Sequence, residues 1–205
     1  MTGHTCAVDW LVRGPAQLDG ILFLTCDEGA VMSDETLSNL VDQLSSRKGT
    51  VREKARHTIV LIGASAIPLL IDLAQSRAKR PRWEAAKALA SIAEPSSIPT
   101  LVGLLSDSES EIRWLAAEGL IKLGPRSLPE VLRLLIDSPD SVEVRRAVHH
   151  VLHDLASTNP VVEETVNPVM EVLGDTEPTS AIPVHAEQVL NKIESFQQHG
   201  GTSER

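Results

Sequence analysis

Apolar residues return at helical spacing in one phrase that the chain spells four times. In IRWLAAEGLIKLG, Ile112 to Gly124, successive residues turn by about 100°. That step gathers Ile112, Ala116, Leu120 and Leu123 on one face and sets Trp114, Glu118 and Ile121 on the other. VREKARHTIVLIG ends at Gly63, PRWEAAKALASIA at Ala93 and VRRAVHHVLHDLA at Ala156. Laid over one another, these phrases align Arg52, Arg82, Arg113 and Arg145, which are 30, 31 and 32 residues apart. The rows Ile59, Leu89, Leu120, Leu152 and Ile62, Ile92, Leu123, Leu155 keep the same spacing. A fixed period of this length predicts an array of stacked units, none of which buries its apolar face alone.

Each phrase follows a shorter apolar helix: LSNLVDQL at 37–44, IPLLIDLA at 67–74, IPTLVGLL at 98–105 and LPEVLRLL at 128–135. Pro68, Pro99 and Pro129 share one slot there. A proline fits the first turn of a helix, where its missing N–H has no partner anyway, so these prolines mark starts. Polar turns join the two helices of a pair: SSRKG at 45–49, QSRAKR at 75–80, SDSES at 106–110 and DSPDS at 137–141. Ser108 with Glu111 predicts a capping box at one second-helix start.

The fold expected is all-α, a right-handed α-solenoid of antiparallel helix pairs with four regular repeats and a degenerate fifth. That fifth pair is read at 161–173 and 181–193, with Pro168 out of its usual slot. The repeat does not extend to 1–32, read as a poorly packed arm. The solenoid is placed at 33–196 and a disordered tail at 197–205.

Composition narrows the function. A formal charge of −9 argues against general affinity for phosphate backbones, although Arg47, Lys48, Arg77, Lys79, Arg80 and Arg82 make the early turns basic. Asp107, Glu109, Glu111, Asp137 and Asp140 make the later turns acidic. Cys6 and Cys26 supply neither a disulfide framework nor a zinc motif, which fits a reducing compartment. No apolar run is read as reaching bilayer length, so a cytoplasmic location without membrane contact is expected.

The proline of the first helix, Asp107 and Asp137 in the turns, the arginine that follows, the small pair Ala116-Ala117 and the closing Leu-Gly together resemble the HEAT repeat family. The likeness is to its short form, the phycobiliprotein-lyase type, and runs over about residues 35–156. Units one and two lack the turn aspartate, the fourth turn is longer, and Val148 stands where Ala85 and Ala116 do. What the resemblance implies is a binding scaffold whose second helices line an inner, concave surface.

On that surface the slots opposite the core hold Glu53 and His57, then Trp83 and Lys87, then Trp114, Glu118 and Ile121, then Arg146, His150 and His153. Trp83 and Trp114, one repeat apart, read either as interface anchors or as rings lying flat on adjacent helices. The arginine row is expected to bridge to a turn carboxylate or carbonyl of the adjacent unit. His149 and His153 lie one helical turn apart, but no third ligand is evident and Asp154 is expected to point away from His153. No metal or cofactor site and no catalytic residue is assigned. Phosphate-loop, dinucleotide and nucleophile-elbow motifs are absent, as is any His-Glu dipeptide of the kind deoxyhypusine hydroxylases require. Enzyme activity is left open. The preferred function is a non-enzymatic scaffold that binds another protein; the alternative is a subunit resembling the phycobilin lyases, with tryptophans stacked on a pigment.

Overall fold

The computed structural model describes residues 34–174 and 180–200, with side chains from 35 to 195. The expected arm at 1–32 and residues 201–205 lie outside the described residues. Among these residues ten α-helices follow in order: α1 Asp34–Leu44, α2 Gly49–Ile62, α3 Ile67–Ala74, α4 Lys79–Ile92, α5 Ile98–Leu104, α6 Ser110–Leu123, α7 Leu128–Asp137, α8 Val142–Thr158, α9 Pro160–Gly174 and α10 Ala181–Gly200. Among the described residues there is no strand.

The described residues form a helical solenoid of two layers. First helices α1, α3, α5 and α7 stack in one row, and second helices α2, α4, α6 and α8 in the other. Between the rows lies a continuous core of Leu, Ile, Val and Ala, in which Ile59, Leu89, Leu120 and Leu152 are fully buried. Pro68, Pro99 and Pro129 stand in the first turn of α3, α5 and α7.

Three short 3-10 turns, Gly63–Ala66, Pro95–Ser97 and Gly124–Ser127, redirect the chain from each second helix to the next repeat. Gly63 and Gly124 enter them with φ of 73° and 74°, where a side chain is disfavoured, and Ala93 adopts a left-handed φ of 54°. The pre-proline position dictates the exit at Ala93: Glu94 must be extended before Pro95 and is found at φ −89°, ψ 139°. The buried Ser127 hydroxyl donates to the carbonyls of Leu120 (3.1 Å) and Gly124 (2.8 Å), so the turn leaves no orphan group inside.

At the fourth repeat this device is displaced. Ala156 holds the slot of Gly63 and Gly124, and the next proline is Pro160. α8 therefore continues to Thr158, and only Asn159, extended at φ −143°, ψ 107°, separates it from α9. With so short a link, α9 folds back against α8 and occupies the second-helix row. α10 packs on α7, and Arg133 of α7 meets Glu194 of α10 at 2.7 Å. The expected fifth pair thus exists with its two layers exchanged. Pro168 lies inside α9, not at a helix start, and removes one backbone hydrogen bond there.

Two further expectations are corrected. The stretch Gly49–Ala74 does reach membrane-spanning length and apolarity by composition, but Gly63 breaks it into α2 and α3, which bury Ala55, Ile59, Ile67, Leu70 and Ala74 in the core. Of the tail expected at 197–205, the described residues 197–200 are helical, because Gln197, Gln198 and His199 all tolerate helix.

Candidate functional site

The turns within the helix pairs are organised by the arginine row. Arg52, Arg82, Arg113 and Arg145 each donate to a carbonyl six residues back in the turn of their own repeat. The acceptors are Ser46 (2.8 Å), Ser76 (3.2 Å), Asp107 (2.6 Å) and Pro139 (2.8 Å). This clamps the polar turn onto the second helix of the same pair. The expected carbonyl partner of an adjacent unit is therefore corrected to one within the same unit; a helix turn and a half carries the guanidinium back over its own loop.

The carboxylate partner does come from the next repeat. Arg82 Nε and Nη2 reach Asp107 Oδ2 and Oδ1 at 2.7 and 3.0 Å. Burial pushes the Asp107 carboxyl upward, but hydrogen bonds from Arg82 and the Glu109 backbone N–H outweigh it and hold the carboxyl below its usual range. Arg52 faces a turn without aspartate and takes Glu84 instead, Nε to Oε1 at 2.7 Å, with Arg56 on the other oxygen. Glu84 is only 1% exposed and sits where α6 has Leu115, a functional choice that sequence periodicity alone reads as an ordinary apolar slot. Arg113 finds Pro139 at the equivalent turn position, and Asp137 closes α7 instead.

These pairs cancel much of the charge gradient read along the turns. Lys79 bridges Glu109 (2.8 Å) and Glu111 (3.2 Å), whose hydrogen bonds raise its pKa. The capping box at Ser108 does not form. α6 begins one residue later, with Glu109 at the cap position and no side-chain cap, while Asp107 Oδ1 accepts the Glu109 N–H at 2.9 Å. A side-chain cap occurs at α8, where Ser141 accepts from Val144 N at 3.2 Å.

On the outward face of the second-helix row, Trp114 is 56% exposed. Trp83, one repeat earlier, is half-buried against the core, with Lys87 Nζ 4.8 Å and Arg56 Cζ 5.6 Å from its ring centre. Trp83, Lys87, Ser110, Glu111, Trp114 and Leu115 line an open hollow of about 790 Å³. The two indoles thus serve different ends: Trp83 is packed and flanked by cations, whereas Trp114 is offered to solvent. Ile121 is half-buried and packs on the core, because the wide apolar stripe of α6 reaches it. Glu53, His57 and Arg146 are exposed, on α2 and α8.

At the far end of the row, Glu118 of α6 and His150 of α8 meet at 3.2 Å. Asp154 turns back to His153, at 3.2 Å, contrary to the expectation that it points away; a short carboxylate swings far enough to reach its chain neighbour. His149 and His153 stack with ring centres 6.1 Å apart. Burial, then the charges of His153 and His150, lower the His149 pKa.

The HEAT repeats family model matches residues 37–121 and 67–153, together more than half of the chain. No curated protein sequence matches. Among solved structures, the chain is similar to one in the complex of CpcE and CpcF of phycocyanin lyase from Nostoc sp. PCC7120, at 20% identity and a TM-score of 0.53. That match covers 76% of this chain and 98% of that one. A designed armadillo repeat protein in complex with the peptide (KR)4 matches at 18% identity and a TM-score of 0.40, over 82% of this chain and 93% of that one. These structural likenesses concern the fold. Stacked helix pairs, the proline and arginine slots and the family match agree: the chain belongs to the HEAT-repeat family.

Proposed function

We propose that this HEAT-repeat protein is a non-enzymatic scaffold that binds another protein on the outward face of α4 and α6. The observation that carries the reading is the exposure of Trp114 beside the hollow it shares with Trp83, Lys87 and Glu111. An indole held out on a rigid helix desolvates a large area at small entropic cost, and the charged groups at its side supply orientation. Glu53, His57, Glu118, Arg146, His150 and His153 extend the same face toward both ends of the array. The similar chain comes from the complex of CpcE and CpcF, which is in keeping with this use of the fold.

The test is selection of peptides from a displayed library on the full chain, followed by affinity measurement against Trp114→Ala. Enriched peptides should bind wild type and lose at least about tenfold on the variant. Equal affinity for both proteins would remove the docking face.

A second reading, a phycobilin-lyase-like subunit, is favoured by the same hollow, since two indoles facing one space suit a flat conjugated pigment. Titration with a linear tetrapyrrole separates the two: an absorbance shift lost in Trp114→Ala supports the pigment, and an unchanged spectrum at micromolar protein removes it.

A further inference from the structure

Glu118, His150 and Asp154 lie at the junction of α6 and α8, and one ligand atom from each lies within 4.8 Å of the other two. We propose that this trio is a binding site for a first-row divalent transition-metal ion, with zinc as the probe. The inference goes beyond the docking reading and does not depend on it.

The repeat itself creates the arrangement. Glu118 and His150 occupy the same slot in successive second helices, which stack side by side, so their side chains meet across the α6–α8 contact. Asp154 is one helical turn beyond His150 on α8, its Oδ1 4.0 Å from His150 Nδ1. Two donors bound to one ion at about 2.1 Å are at most about 4.2 Å apart. The ligand atoms of the trio, within 4.8 Å of one another, stand close to that spacing. The helices beneath are fixed: Ala116, Leu120, Val148, Val151 and Leu152 of α6 and α8 are all fully buried. A site built on packed helices keeps its donors in register better than one on loops.

Charge points the same way. At the earlier junctions the carboxylates Glu84, Asp107, Glu109 and Glu111 are matched by Arg or Lys. Among the described residues, Glu118 and Asp154 face no Arg or Lys within 4.0 Å, only histidines. The two carboxylates carry the charge that a divalent cation neutralises. One nitrogen and two oxygen donors suit zinc and its first-row neighbours, whereas calcium and magnesium prefer oxygen throughout. His153, whose Nδ1 lies 3.2 Å from Asp154 Oδ1, is placed to orient that carboxylate from outside the donor set. The three donors are between 37% and 42% exposed, so an ion reaches them from solvent and coordination positions remain open to water or to a group from outside.

The experiment is calorimetric titration of the chelator-stripped full chain with zinc, in a Cys6→Ser, Cys26→Ser background that removes the thiols. One equivalent should bind with micromolar affinity. Glu118→Gln and Asp154→Asn, which keep side-chain size, should each weaken it at least about tenfold, and His153→Gln by a smaller factor, with circular dichroism and melting of the metal-free proteins checked alongside. Affinity unchanged in both carboxamide variants would overturn the site, as would no saturable binding below millimolar zinc. Binding that survives Glu118→Gln but is lost on His149→Ala would also overturn it, by moving the ion to the stacked histidine pair.

Discussion

Arg82 on α4 and Asp107 in the turn before α6 face each other through two parallel hydrogen bonds, 2.7 and 3.0 Å long, across the boundary between two repeats. Paired in this planar geometry, and with the Asp107 side chain only 6% exposed, they couple the two units more firmly than a solvated ion pair does. The same guanidinium holds the Ser76 and Arg77 carbonyls of its own turn, so one side chain fixes both the loop behind it and the repeat ahead.

Acid should loosen that boundary first. Because the folded state holds the Asp107 carboxyl below its usual range, its contribution is fully present above the unfolded carboxylate value of about 3.9 and is lost as pH falls through the lower folded value. Asp107→Asn should cost about 1–3 kcal/mol at neutral pH and flatten the acid limb of a plot of melting temperature against pH. An acid limb identical to wild type would show that the pair contributes nothing.

Glu84 offers a sharper test of the missing turn aspartate. Its carboxylate is buried between Arg52 and Arg56, so Glu84→Gln should leave two guanidinium groups short of charge and cost about 3–5 kcal/mol in urea unfolding. A loss below about 1 kcal/mol would mean that both arginines simply turn out to water.

Gly119 stands at a close approach of α4 and α6. A Cβ there would stand 2.9 Å from Ala90 Cβ and 3.0 Å from both Ala90 Cα and Leu101 Cδ1. Gly119→Ala gains about 1 kcal/mol of helix propensity but forces the two helices apart, at about 1–3 kcal/mol. The expected net result is a lower melting temperature; a higher one would show that the interface yields without strain.

The two tryptophans should separate in unfolding experiments. Trp114→Ala should change stability by less than about 0.5 kcal/mol. Trp83→Ala should cost more, since its ring packs on the core between Arg56 and Lys87. Leu120→Ala, at a fully buried position, should cost about 2–5 kcal/mol. Equal losses for Trp83 and Trp114 would refute the division between a packing ring and an offered one.

Repeat period, helix starts at Pro68, Pro99 and Pro129, and the core rows through Ile59, Leu89, Leu120 and Leu152 were all legible in the sequence. They follow from spacing along a single helix and from the backbone limits of proline, both of which are local. The exposed row with Trp114 could be read for the same reason, but which indole is free could not: the environment of Trp83 depends on Arg56, a residue of the preceding repeat. Glu84 carried no signal in the sequence, because its partners Arg52 and Arg56 belong to the preceding repeat. Glu118 stands 32 residues from its histidine partner, so their meeting is a property of how α6 lies on α8. The exchange of α9 and α10 between layers likewise turns on a one-residue link at Asn159 and on what α7 and α8 leave uncovered. Sequence by itself determined which residues form helices and which faces are apolar, because those are properties of a few neighbouring residues; tertiary structure decided which charges meet and where the last pair lies, because these depend on contacts between distant repeats.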